Sequence, residues 1–189
     1  MESFRWIVLS YFIGAIPSGY IIGKVFYHVD LKKTGSGNIG ATNAYRELGV
    51  VAGFSVFICD FLKGFIAVHL GMPDPLIVLA CAIAAIVGND WSIFLHFKSG
   101  KGVACGVGAF AYISAPAVLC AFAVWLLVFK AKHIVSLSSI IAAPVVALVL
   151  LIEGASAEYV IFAALAAVIV IGKHKDNIKR LLKGEEKPI

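Results

Sequence analysis

The chain has 189 residues, 61% of them hydrophobic and 14% charged, with a mean hydropathy of +0.96. That excludes a soluble domain and places the chain with multi-span membrane proteins. The formal charge of +5 matters by its placement: the basic residues lie beside apolar runs, which suits a membrane surface and gives no reason to expect a nucleic-acid partner.

A spanning helix needs about 20 apolar residues. The first candidate, Phe4 to Tyr27, is too long for a signal-peptide core and lacks a small-residue cleavage site, so it should remain as a span. Pro17 and Gly19 are expected to kink it. A polar loop over 28–43 and a short amphipathic piece follow. The second span runs from about Val51 to Leu70 and stops at Gly71-Met72-Pro73-Asp74-Pro75. Leu76 to about Leu95 is the third span, followed by a second polar, glycine-rich loop, His96 to Gly102. Ile134–Ile152 and Tyr159–Gly172 are the last two spans, ahead of a basic, polar tail from Lys173. Cys59, Cys81, Cys105 and Cys120 lie in apolar runs without metal-ligand spacing and read as small buried hydrophobes.

The stretch Val103–Phe129 is one long helix or two short ones turning at Ser114-Ala115-Pro116. Charge decides, because short cytoplasmic loops collect Lys and Arg. With the turn there are seven crossings, and Lys32, Lys33, Lys98, Lys101, Lys130, Lys132 and the basic tail share one face, opposite Arg5. Without it there are six, and the basic residues divide between the faces. The expected fold is therefore all-α: one membrane-embedded domain over residues 1–189, with seven transmembrane helices, the N-terminus outside and the C-terminus cytoplasmic. The fourth and fifth spans would be short, with local thinning of the bilayer.

The most informative stretch is Thr34-Gly35-Ser36-Gly37-Asn38-Ile39-Gly40-Ala41-Thr42-Asn43, with Arg46 close behind. Three glycines, two asparagines, Ser36 and two threonines within ten residues make a backbone that bends and presents N–H groups, hydroxyls and amides. Converging N–H groups beside a restarting helix suit an anion, most often a phosphate. Taken alone, such a loop is as often a solvated connector.

The second loop, Lys98-Ser99-Gly100-Lys101-Gly102, places two lysines among small residues ahead of a helix. It is not a nucleotide-binding P-loop, because Leu95 stands where the first glycine belongs and Gly102 where a hydroxyl is required. Positive-inside lysines account for Lys98. They do not account for the glycines flanking Lys101, which favour an anion site. Ser136 and Ser139 open the sixth span three residues apart, and His174 and Asn177 share that spacing in the tail. Helix caps and a basic helix on anionic lipid are the plainer readings. Asp60 and Lys63, three apart inside the second span, are expected to pair with each other. Lys24 has no evident partner. His69 and Asp74 reproduce the HxxxxD box of glycerolipid acyltransferases, but they fall in an external turn, away from every other polar cluster, and are rejected as a chance match.

In order along nearly the whole chain, these pieces resemble the bacterial acyl-phosphate:glycerol-3-phosphate acyltransferases of the PlsY type. Ile16-Pro17-Ser18-Gly19-Tyr20 resembles the family's first-helix signature, and Gly35 to Asn43 with Arg46 its first motif. Asp60-Phe61-Leu62-Lys63-Gly64 fits the helix that follows. Phe94-Leu95 and Phe97 to Ala104 fit the second motif, and Val135 to Ile140 with His174 and Asn177 the third region. Asn89, where many members have His, and Ser99, replacing a common glycine, are departures.

The resemblance implies acyl transfer from acyl-phosphate to the 1-hydroxyl of glycerol-3-phosphate, giving lysophosphatidic acid, the first step of bacterial phospholipid synthesis. It implies neither acyl-CoA nor acyl carrier protein as direct donor, no cofactor or metal, and a bacterial inner membrane with the active site at its cytoplasmic face. The catalytic candidates are Ser36, Arg46, Lys101 and His174. The substrate-binding candidates are Gly37, Asn38, Gly40, Asn43, Lys98, Gly100, Gly102, Ser136, Ser139 and Asn177. A transporter of a phosphorylated metabolite is the competing class. It fits the kinked spans and the embedded charges of Lys24 and Asp60, but not the gathering of motifs at one face or the lack of an internal repeat.

Overall fold

The computed structural model describes residues 2–189, and among them every regular element is helical. The helices are α1 (Glu2–Ala15), α2 (Ser18–Phe26), α3 (Ala41–Leu48), α4 (Val50–Leu70), α5 (Pro75–Asp90), α6 (Val103–Ile113), α7 (Ala115–Lys132), α8 (Val135–Ile152), α9 (Ala157–Lys173) and α10 (Lys175–Lys183), with a 3-10 turn at Ile93–Leu95. Five stretches are long and apolar enough to cross a membrane: Ser3–Phe26, Val50–Leu70, Pro75–Leu95, Ala115–Lys132 and Val135–Ile152. A sixth is added if α9 and α10, bent by 58°, count as one. Helix α6 is apolar but shorter.

Large apolar side chains face outward along these helices, among them Val51 at 73% exposure and Leu127 at 68%. In water such surface would drive aggregation, whereas in a bilayer it is the solvated surface. Helix association there gains little from the hydrophobic effect and relies on close packing and hydrogen bonds.

The chain forms two compact units, Met1–Tyr112 and Ile113–Ile189. In the first, α1 packs along α5 and α4 along α5 and α1. Small residues set the close contacts. A Cβ on Gly14 would lie 2.1 Å from the Ala85 carbonyl oxygen, and one on Gly64 1.9 Å from that of Cys105. Pro17 breaks the first span into α1 and α2, as its missing N–H and ring require. Next to the polar loops, Leu31, Ile39, Ala44, Ala52, Val56 and Leu95 form a buried apolar cluster.

In the second unit, α7 packs on α8 and α8 on α9. Ser114 resolves the ambiguous stretch in favour of two helices. It sits in extended conformation and its hydroxyl accepts from the Ala117 N–H at 3.1 Å, capping α7 with Pro116 in the first turn. An aromatic stack climbs α7 from Phe122 through Trp125 to Phe129 and His133.

Two sequence expectations are corrected. Lys24 does have a partner: its Nζ lies 3.7 Å from Asp30 Oδ2, and the Tyr20 ring is nearby. Cys81 and Cys105 are buried, but Cys59 and Cys120 are exposed, as lipid-facing positions allow. The third span runs to Leu95 as expected, its α-helix ending at Asp90 and the 3-10 turn at Ile93–Leu95 finishing it.

Candidate active site

The first polar loop is held by its own amides. Asn43, buried on α3, accepts the Ser36 N–H through Oδ1 at 2.9 Å, and its Nδ2 donates to the carbonyls of Leu31 at 3.2 Å and Thr34 at 3.1 Å. One side chain thus ties three points of the loop together. The Asn43 amide, a substrate-binding candidate from the sequence, is engaged here with loop backbone. Asn38 Oδ1 accepts the Gly40 N–H at 2.7 Å, closing a local turn at the start of α3, for which Gly40 is the N-cap. Ser36 and Gly37 are exposed at the loop's surface, and Arg46 is half-buried in the last turn of α3. Arg46 therefore lies beyond the point where the helix restarts, one helical turn after Asn43.

The second loop comes to the first. Asn38 Nδ2 donates to the Ser99 carbonyl at 3.3 Å, and Lys32 Nζ reaches the Leu95 carbonyl at 3.5 Å. Within the second loop, the Gly100 N–H donates to the Asn89 carbonyl at 2.8 Å. Lys98 is exposed, Lys101 half-buried, and Gly100 and Gly102 are buried. Gly102 has φ +71, and a Cβ there would lie 3.1 Å from Asp90 Oδ2. Only glycine combines that backbone with that space.

Asp90 is fully buried, and sequence reasoning passed over it. The signal was there, a carboxylate closing an apolar run. Its carboxyl group lies beside Gly102, at the N-terminal end of α6.

The second unit carries a different polar cluster, built around a residue the sequence reading did not single out. The Glu186 carboxylate, 8% exposed, accepts from Ser136 Oγ at 2.7 Å, Asn177 Nδ2 at 2.5 Å and Arg180 Nε at 2.6 Å. Burial pushes the Glu186 pKa up. The hydrogen bonds from Ser136, Asn177 and Arg180, with the Arg180 charge, more than reverse this and hold it below the ordinary carboxylate range. The tail continues until the Ile189 N–H donates to the His133 carbonyl at 2.8 Å. The only hint in the sequence is an acidic pair after a basic helix.

His174 is buried where α9 bends into α10, and its Nδ1 lies 2.7 Å from the Val170 carbonyl. A carbonyl only accepts, so Nδ1 carries a proton. Ser139 accepts the Trp125 indole N–H at 3.2 Å. Ser136 and Asn177 are thus joined through Glu186, while Ser139 is engaged by the aromatic stack. His69 and Asp74 have separate local uses: His69 Nδ1 meets the Tyr112 hydroxyl at 3.2 Å, and Asp74 caps α5.

A family profile described as glycerol-3-phosphate acyltransferase matches residues 4–184. The chain belongs to the glycerol-3-phosphate acyltransferase family. It is 43% identical over 182 residues to glycerol-3-phosphate acyltransferase 2 of Moorella thermoacetica, covering 95% of this chain and 94% of that one. It is 41% identical over 189 residues to the glycerol-3-phosphate acyltransferase of Fusobacterium nucleatum, covering 98% and 97%. Among solved structures it is similar to PlsY (YgiH), an integral membrane glycerol 3-phosphate acyltransferase. The glycerol 3-phosphate form superposes with a TM-score of 0.94 at 37% identity, over 100% of this chain and 96% of that one. The lysophosphatidic acid form gives 0.92 at 35% identity, with the same coverage. Membership in this acyltransferase family sets aside the transporter reading, and the chain is an integral membrane acyltransferase.

Proposed function

We propose that the protein transfers the acyl group of an acyl-phosphate to the 1-hydroxyl of glycerol-3-phosphate, yielding lysophosphatidic acid and inorganic phosphate. The observation that carries this reading is the joined pair of loops in the first unit. Asn38 bridges to Ser99 between two glycine-rich turns that bring Ser36, Lys98 and Lys101. Solved relatives in glycerol 3-phosphate and lysophosphatidic acid forms support the same substrate and product.

An acyl-phosphate is a mixed anhydride, so its leaving group is already activated. The glycerol 1-hydroxyl oxygen bonds to the acyl carbon, the carbon–oxygen bond to phosphate breaks, and the hydroxyl proton ends on the released phosphate. The protein's task is to hold two anions together and orient the hydroxyl. Arg46 grips a phosphate bidentately, as lysine cannot. Lys101 neutralises charge developing on the leaving phosphate, and Lys98 adds positive potential. Gly37, Gly40, Gly100 and Gly102 let the loop backbone come close to the anions, with Asn43 supporting the first loop from behind. Ser36 and Asn38 place phosphate and glycerol hydroxyls, and in the second unit Ser136, Ser139 and Asn177 are substrate-binding candidates in their own right. His174 is the candidate protein base for that proton, and a phosphate oxygen is the alternative. No acyl-enzyme is formed.

In this reading the chain crosses the bacterial inner membrane seven times, counting the short α6 and α9, with the N-terminus outside and the motifs at the cytoplasmic face. A coupled phosphate-release assay tests the reaction. Palmitoyl-phosphate should release phosphate only when glycerol-3-phosphate is present, with lysophosphatidic acid formed and turnover lost in Lys101→Ala. Failure with acyl-phosphate but success with acyl-CoA would reassign the donor.

A further inference from the structure

The break at Pro17 takes the carbonyls of Ala15 and Ile16 out of the helical ladder inside an apolar span, where an unsatisfied carbonyl is costly, and the Ile16 carbonyl keeps a backbone partner only in the Ser18 N–H at 3.0 Å. Each is met by a side chain from another helix or turn. Ser92 Oγ donates to the Ala15 carbonyl at 2.5 Å, and Lys63 Nζ to the Ile16 carbonyl at 2.5 Å. Lys63 Nζ also lies 2.6 Å from Asp60 Oδ1, with both side chains buried. On the other side of the break, the Ser18 side chain faces Asp60. The ion pair on α4 therefore grips both edges of the gap between α1 and α2.

The next residue connects this grip to the polar loop. A Cβ on Gly19 would lie 1.8 Å from the Ile39 carbonyl oxygen, so the loop backbone rests directly on α2. The Ile39 side chain is anchored in the buried cluster with Val56, one turn before Asp60 on α4, and Tyr20 and Ile22 of α2 pack against that cluster. Ile39 separates Asn38, the bridge to Ser99, from Gly40, the N-cap of α3.

We infer that Asp60 and Lys63 are positioning residues: by fixing α2 against α4 across the Pro17 break, they set where the Asn38-Ile39-Gly40 backbone stands to receive glycerol-3-phosphate. An ion pair that merely neutralises itself within the membrane would satisfy Asp60 and Lys63 but would not account for the bond from Lys63 to the Ile16 carbonyl. The kinetic consequence rests on the substrate reading proposed above, whereas the positioning of the loop does not.

The test uses the full chain in lipid nanodiscs, comparing wild type with Lys63→Met, Ser18→Ala and Gly19→Ala. Lys63→Met removes the donor to Ile16, and Gly19→Ala displaces the Ile39 carbonyl without touching the pair. In both, the KM for glycerol-3-phosphate should rise by about tenfold or more, with the KM for acyl-phosphate within about twofold of wild type. Backbone amides over 36–43 should exchange hydrogen faster in both, and less so in Ser18→Ala. If Lys63→Met does not fold, Ser18→Ala and Gly19→Ala carry the test. Folded variants with wild-type KM and wild-type exchange overturn the inference, as does an equal fall in turnover for both substrates with unchanged exchange. Faster exchange over 36–43 in a protein whose wild type does not acylate glycerol-3-phosphate would overturn the substrate reading and leave the positioning intact.

Discussion

The two polar regions are stabilised by opposite means. In the first unit, uncharged amides do the work: Asn43 binds three backbone groups of the loop and Asn38 two more. In the second, one buried carboxylate gathers Ser136, Asn177 and Arg180. Amide struts are indifferent to pH and hold a loop without adding charge, which suits a site meant for anions. A carboxylate latch brings strong, charge-assisted bonds, but its hold depends on its ionisation and on a tail that must fold back.

Removing a cation assigned to chemistry should have the largest effect. Arg46→Ala should lower kcat/KM for glycerol-3-phosphate by about 100-fold or more, on the scale of losing a group that stabilises developing charge, with little change in thermal midpoint. Steady-state kinetics beside a melting curve checks this, and unchanged kinetics would remove Arg46 from the site. Next comes the latch. Glu186→Ala leaves the buried polar groups of Ser136 and Asn177 short of a partner, and should cost about 1–3 kcal/mol, read as a lowered denaturation midpoint. Asn43→Asp sharpens the contrast. It keeps the acceptor for the Ser36 N–H but loses both donors to Leu31 and Thr34, so it should destabilise the 31–43 loop by a similar or smaller amount. Local hydrogen exchange there should rise while the second unit is unaffected.

The smallest effect is the pH response. Because the Glu186 pKa is lowered on folding, its contribution is complete above the ordinary carboxylate range and is lost as the pH falls through the lower folded value. Wild type should therefore lose stability on acidification in that window, and Glu186→Gln should lose less. Equal slopes for the two would mean that Glu186 does not carry the response.

Spans and breaks were legible because their causes are local. Apolar length marks the helices, Pro17 interrupts the first, and Ser114 with Pro116 caps α7 within three residues of sequence. The Asp60–Lys63 pair follows from helical spacing alone. The loop motifs could be picked out by composition, but composition does not show that the Asn43 amide ties three backbone groups of its own loop. Glu186 was invisible for a physical reason. Its role depends on the 58° bend between α9 and α10 and on the reversal at Gly184, φ +71, which together return the tail to residues about fifty positions earlier. No periodicity records such a contact. Lys24 and Asp30 were missed likewise, because the turn after α2 brings them together.

The bond from the Trp125 indole to Ser139 also gives the second unit a built-in optical reporter. The chain has three tryptophans. With Trp6 and Trp91 replaced by phenylalanine, emission would come from a ring whose N–H ends on a candidate substrate-binding hydroxyl. Its wavelength and lifetime would follow what happens at Ser139 without any label, giving a way to watch occupancy of that position in the membrane.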